Sequence, residues 1–202
     1  MGIKDAKIEF VLKVAEDLFM SRSISDVSIK DIADKAGVGE ATIYRYFKSK
    51  NNIVLQCALN LGKTIFADYF DLSKGKTGYE KLDIFYNAYL KTFRKKPSHF
   101  YFIREFDAYM CSHDEVSLTD YENGLVHTFE DIFMSAYNMG LKDGTVREIK
   151  DIEVFYFSTT HALLELCKKL SMKKDILEQD KDLKKSGEIK CIVNLILTSL
   201  KK

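Results

Sequence analysis

The sequence predicts an all-α protein, with an N-terminal head of three helices, two of them short, joined to a larger C-terminal helical domain. Three observations predict it. A single proline, Pro97, and ten glycines interrupt 202 residues, too few breakers for a chain of many strands and turns. Apolar residues recur three and four apart almost everywhere, the spacing that gathers them on one side of a helix. Finally, two short helical segments flank a tight turn at Gly37. With 46% apolar residues the chain can build a substantial core, and helix packed on helix is the architecture open to it. We place the domain division after residue 50, giving 1–50 and 51–202.

The first helix spans about residues 3 to 21, with Ile8, Val11, Leu12, Ala15, Leu18 and Phe19 on one stripe. Ser28 reads as the N-cap of a second helix. Asp31 completes a variant of the capping box, and Gly37 supplies the residue that stops the helix. A third helix covers about 40 to 47, where Ile43 and Phe47, four apart, share the packed side. Ser49 caps a fourth, which continues through about residue 70. Twenty of the 25 Phe and Tyr residues lie after Leu61. There, helices are expected over about 78–95, 98–112, 117–141, 151–172 and 187–200, with Gly78, Pro97, Gly144 and Gly187 near their boundaries. The charge-rich stretch 168–187 reads as a solvated connection.

Composition excludes several classes. The net charge of +1 gives no bulk attraction to a polyanion, so such a partner must be held by a local patch. Cys57, Cys111, Cys167 and Cys191 form no CxxC pair, which argues against a zinc knuckle or disulfide framework and for a reducing cytoplasm. Residues 1–20 lack the continuous apolar core of a signal peptide, and no apolar stretch is long enough to span a bilayer, so no membrane partner is expected. There is no glycine loop for a nucleotide and no nucleophile motif, and the four histidines lack HExxH spacing. We therefore expect no enzyme, no cofactor and no metal site.

Two short helices about a Gly-containing turn are a helix-turn-helix signature. In that motif the N-terminal residues of the second helix meet base edges in the DNA major groove, while its other side packs on the helices before it. With Ile43 and Phe47 packed, Glu40, Ala41, Thr42, Tyr44, Arg45 and Tyr46 are left to face DNA. Lys48 and Lys50 add point charges where the phosphate backbone passes. Ser28 and Lys30, beside the free amides at the start of the second helix, form a further phosphate site. The small Gly39 and Ala41 permit close entry into the groove, and Glu40 can accept from a cytosine amine or point to solvent.

The stretch "FMSRSISDVSIKDIADKAGVGEATIYRYFKSKNNIV" resembles the DNA-binding region of the TetR family of transcriptional regulators. The resemblance covers about residues 5 to 55. Thr42, Ile43, Tyr44, Tyr46, Phe47 and Lys50 fall on the family pattern, as do Ser28, Ile32, Ala33, Ala36, Gly37 and Val38. Gly39 departs from it, since a serine or threonine is usual there, and a hydroxyl contact is lost. "MGLKDGTVREIKDIE", residues 139–153, is similar to a glycine-and-arginine turn found in many members. The resemblance implies a repressor of a double-stranded DNA operator, whose C-terminal domain binds a small effector that releases the DNA.

Assembly and effector must be read from physics. "IKCIVNLILTSL" is apolar on nearly every face and "VFYFSTTHALLELCKKL" on two, which is more than one chain covers economically. A two-fold homodimer through these segments is expected, with Val154, Leu163, Leu166, Cys167, Leu170, Ile192, Leu195, Ile196 and Leu200 at the interface. Two heads then imply a near-palindromic site. For the effector, lipophilic or aromatic, candidate walls are Tyr86, Tyr89, Phe93, Phe102, Phe106, Tyr109, Phe129, Phe133 and Phe157, with Glu105, Asp107, His127 or His161 as polar anchors. An acidic anchor would favour a cation, Arg104 a carboxylate. The alternative keeps the same DNA-binding head with a C-terminal domain that responds to a protein partner.

Overall fold

The computed structural model describes residues 2–113, 117–121, 125–172 and 184–202. The head comprises α1 (Ile3–Ser21), α2 (Ile29–Ala36) and α3 (Glu40–Phe47). α4 (Lys50–Tyr69) leads into a 3-10 turn at Leu72–Lys74. There follow α5 (Gly78–Lys95), α6 (Ser98–Met110), α7 (Thr119–Tyr121), α8 (His127–Asp143), α9 (Ile152–Leu170) and α10 (Lys185–Leu200). The expected helix over 117–141 instead appears as α7 and α8, and most of the charged connection 168–187 lies outside the described residues.

The local signals act as chemistry requires. Ser28 Oγ accepts from Asp31 N at 3.0 Å while Asp31 Oδ2 accepts from Ser28 N at 2.7 Å, the reciprocal capping box. Gly37 stops α2 at φ +64, a conformation that costs a residue without Cβ nothing. Ser49 accepts from Asn52 N at 3.2 Å and starts α4. In the head, Phe19, Ile24, Ile32, Ile43, Phe47 and Ile53 close around one another with essentially no exposure.

In the larger domain α5 is central, packing chiefly on α8 and α10. A Cβ at Gly78 would lie 2.0 Å from Gly140 N, so only glycine lets the two backbones approach. The end of α8 then caps the start of α5: Asp143 Oδ2 accepts from Gly78 N at 2.8 Å, and Thr145 Oγ1 from Tyr79 N at 3.2 Å. Gly144, at φ +75, turns the chain out of α8. Arg147 of this turn then donates through Nε and Nη2 to Lys201 O at 2.9 and 2.8 Å, pinning the end of α10.

α6 packs on both α1 and α9. At its start His99 is only 4% exposed, and its Nδ1 has no partner among the described residues. Burial, then the Lys96 and Lys13 charges, outweigh Asp68 and pull its pKa down to about 4. The neutral ring is therefore the folded form. Above the unfolded value of 6.5 its contribution to stability is complete. As pH falls from there towards about 4, the unfolded chain takes a proton that the folded chain refuses, and stability is lost. The urea midpoint should thus fall between about pH 7 and pH 5, and His99→Leu should make that slope shallower; an unchanged slope would remove His99 from the account.

Candidate nucleic-acid interface and effector cavity

The face of α3 follows from its burial pattern. Ile43 and Phe47 are 0% and 2% exposed, which turns Glu40, Ala41, Tyr44 and Arg45 to the surface, with Thr42 and Tyr46 at the flanks. Tyr44 is 51% exposed, unusual for an aromatic side chain with no covering neighbour. The Arg45 guanidinium lies 5.0 Å from the Tyr46 ring centroid and donates to its hydroxyl at 3.3 Å. This fixes its direction while leaving donors over for a phosphate or a guanine. Gly39, extended at φ −74, ψ 147, caps α3 without a side-chain hydrogen bond. Lys48 stands beyond the end of α3 at φ +66, ψ −37, a tight turn in which Phe47 O accepts from Ser49 N at 2.8 Å. Asn52 Nδ2 donates to the same carbonyl at 2.9 Å and holds the turn.

Two phosphate positions expected from sequence are modified. At the start of α2, Asp31 Oδ2 already accepts from both the amide and the hydroxyl of Ser28, at 2.7 and 2.8 Å. These hydrogen bonds hold the Asp31 carboxyl below its usual range. An incoming phosphate would meet that anion, offset by Arg22 at 3.1 Å, so only Lys30 and the remaining amides are free for it. Lys50 is turned inwards: its Nζ donates to Ser25 O at 3.4 Å and sits 5.1 Å from the Tyr109 ring centroid, and burial lowers its pKa. It joins head to core rather than standing over a groove. Tyr109, expected in the effector pocket, belongs to the same junction and donates to Asn51 Oδ1 at 2.6 Å.

A cavity of about 300 Å³ lies among α4, α5, α6, α8 and α9. Tyr89, Phe102, Phe106, Phe129, Phe157, His161 and Asp107 line it, as the sequence suggested. The other candidates do not. Tyr86 is buried with its hydroxyl 2.8 Å from Thr159 Oγ1, and Phe133 packs against it, Phe85 and Tyr156. Phe93 packs on Phe100, Glu105 is held by Arg104 at 2.7 Å, and His127 is exposed near Glu130. Sequence reasoning missed Phe70, Phe100, Tyr121 and Tyr156, and the four residues of α4 that form one wall, Ala58, Leu61, Gly62 and Ile65. Their helical spacing was visible, but the same spacing describes a solid core. A Cβ at Gly62 would lie 2.3 Å from Leu125 Cδ2, so glycine there lets the leucine lie directly against α4.

Electrically the cavity is close to neutral. Among the described residues neither lysine nor arginine lines it. Asp107 is the one acidic group among the described lining residues, and Asp107 Oδ2 accepts from Lys168 Nζ at 2.6 Å. Lys168, itself only 8% exposed, also pairs with Glu165. Burial, and then Asp107, push the Tyr121 phenol up to about 12, and burial raises Tyr89 and Tyr156 as well. All three rings stay protonated at neutral pH.

The expected interface residues divide sharply. Leu163, Cys167 and Leu200 are 0% exposed, and Leu170 and Ile196 nearly so; they pack inside their own chain, where a partner cannot touch them. Val154 at 59% and Leu195 at 62% stay open, with Leu166 and Ile192 half-buried. Both helices are apolar on two sides, and the side holding most of the expected interface is the inner one.

The model of the family described as bacterial regulatory proteins, tetR family, matches residues 11–57, the stretch from α1 to the first half of α4. The HTH-type transcriptional repressor KstR2 of Rhodococcus jostii (strain RHA1) is 23% identical over 158 residues, 72% of this chain and 71% of that one. The HTH-type transcriptional regulator YvdT of Bacillus subtilis (strain 168) is 38% identical over 55 residues, 27% and 28% of the two chains. Among solved structures, FadR of Bacillus subtilis in complex with stearoyl-CoA superimposes with a TM-score of 0.73 at 16% identity, covering 95% of this chain and 98% of that one. PfmR from Thermus thermophilus gives 0.67 at 19% identity, covering 95% and 99%. No helix among the described residues is long and apolar enough to cross a membrane. The DNA-binding head of the tetR family of bacterial regulatory proteins thus lies at residues 11–57, and the fold of solved TetR-family regulators extends over nearly the whole length.

Proposed function

We propose that this regulator is a cytoplasmic repressor that binds a near-palindromic operator as a homodimer, through residues 1–50, and is released when a small lipophilic effector enters the cavity of residues 51–202. The observation that carries the reading is the double use of α4. Its start directly follows α3, and its residues Ala58, Leu61, Gly62 and Ile65 form a wall of the cavity. A molecule filling the cavity therefore touches the helix that positions the head. To weaken DNA binding a hundredfold, the effector must favour one head spacing over the other by about 3 kcal/mol. FadR, a structural relative, is complexed with stearoyl-CoA, and the hydrocarbon acyl chain of such a molecule agrees with a mostly apolar wall.

The DNA contacts we assign are Tyr44, Arg45, Thr42, Tyr46, Glu40 and Ala41 on α3, with Gly39, Lys48 and Lys30 around it. Ser28 acts through the cap, and Lys50 as the tie to the core. Homodimerisation is supported by Val154 and Leu195, apolar side chains left open on α9 and α10.

The test is fluorescence anisotropy with labelled DNA from immediately upstream of the protein's own gene, against scrambled DNA of equal length. Nanomolar, sequence-selective binding is expected, and binding to neither DNA would overturn the reading. Tyr44→Ala should weaken operator binding by about tenfold or more while leaving the thermal unfolding of the core unchanged. Lys48→Gly should raise the unfolding free energy by about 1 kcal/mol in urea, because the positive φ no longer strains a Cβ. The same variant should bind all DNA sequences less tightly, with the salt slope reduced by about one. In analytical ultracentrifugation Leu195→Glu should sediment as a monomer; an intact dimer would move the interface off α10.

A further inference from the structure

One polar atom just behind the cavity wall is left over. Thr92 of α5 borders the cavity and is 0% exposed, and its Oγ1 has no hydrogen-bond partner among the described residues. A helical threonine usually satisfies its hydroxyl on the carbonyl one turn back, as Thr160 does across the same cavity by donating to Tyr156 O at 2.7 Å. Thr92 does not. A buried hydroxyl without a partner is destabilising, and replacing it by a methyl group would relieve the cost.

The rest of the wall limits what can meet it. Among the described residues no lysine or arginine lines the cavity, so a buried carboxylate or phosphate would find no counter-charge there. The single anion among the described lining residues, Asp107, is already taken by Lys168 at 2.6 Å, so a buried cation would first have to break that pair. His161, the remaining ionisable group of the lining besides the phenols, is exposed and stands at the rim. Everything else is hydrocarbon, aromatic ring or neutral hydroxyl. At about 300 Å³ the space is at the small end of ligand sites.

We infer that the effector enters this cavity as an uncharged, mostly hydrocarbon body carrying one oxygen, a hydroxyl or a carbonyl, that hydrogen-bonds to Thr92 Oγ1. The inference rests on the reading of the cavity as the effector site. It excludes both of the charged classes that the acidic residues and Arg104 suggest from sequence: Asp107 is engaged, and Arg104 lies outside the lining, bound to Glu105.

The experiment is calorimetric titration of the intact protein with three probes of one chain length and different head charge: decan-1-ol, decanoate and decylammonium. Decan-1-ol should bind at least about tenfold more tightly than either ion. Thr92→Val should weaken decan-1-ol by about fivefold, and Thr92→Ser, which keeps the hydroxyl, should restore it. Without ligand, Thr92→Val should melt no lower than the wild type, a result that a merely structural hydroxyl would not give. If decanoate or decylammonium binds as tightly as the alcohol, or if Thr92→Val binds the alcohol unchanged, the assignment is overturned while the cavity keeps its effector role. If none of the three binds, the effector reading itself falls and takes this inference with it.

Discussion

The structure depends on one continuous helix being shared by two cores. Along α4 the early residues Ile53, Val54 and Cys57 are fully buried, with Cys57 Sγ 3.8 Å from Leu12 O of α1. They complete the head, which has too few residues of its own for a core that could stand alone. A turn later Ala58, Leu61, Gly62 and Ile65 change allegiance and wall the cavity. Because a helix is stiff along its axis, displacement at the second group must reach the first. Neither domain can therefore move its share of α4 privately, and a displacement of the cavity wall is passed on towards α3.

A second tie runs through α6. Phe102, Phe106 and Asp107 face the cavity, and Tyr109, less than a turn further on, donates to Asn51 at the start of α4 and lies under Lys50. Lys50 in turn reaches Ser25 in the loop before α2. Lys168 holds the other side of the same helix to α9. α6 is thus clamped between the body and the head by polar contacts whose geometry is specific. Such contacts favour two discrete arrangements over gradual sliding.

Much of the fold was legible because its signals are local. Caps and stops act within four residues, so Ser28, Gly37, Ser49 and Gly144 announced helix boundaries that the backbone then adopted. The face of α3 was legible for the same reason: Ile43 and Phe47 define one side, and everything else must be on the other. What stayed hidden depends on three-dimensional closure. The inner and outer sides of α9 and α10 carry the same kinds of residue, so Leu163 and Leu200 could not be told from Val154 and Leu195 by period alone. Lys50 is a surface cation in sequence and a junction in space, because Tyr109 is brought to it from 59 positions away. The cavity was half read: Phe102, Phe106 and Phe129 line it, but Tyr86 and Phe133, equally aromatic, fill the core beside it.

Gly62 gives the cavity a single point of control. It sits where the Leu125 side chain lies directly against α4, so the outline of the chamber at this corner is set by one missing carbon atom. A residue that grew there would drive the leucine from its place and redraw the space around it. The residues that α3 presents at the surface would keep their identity, since Gly62 lies in the second half of α4. The shape of the chamber can thus be revised at one position of α4 without altering any residue of α3.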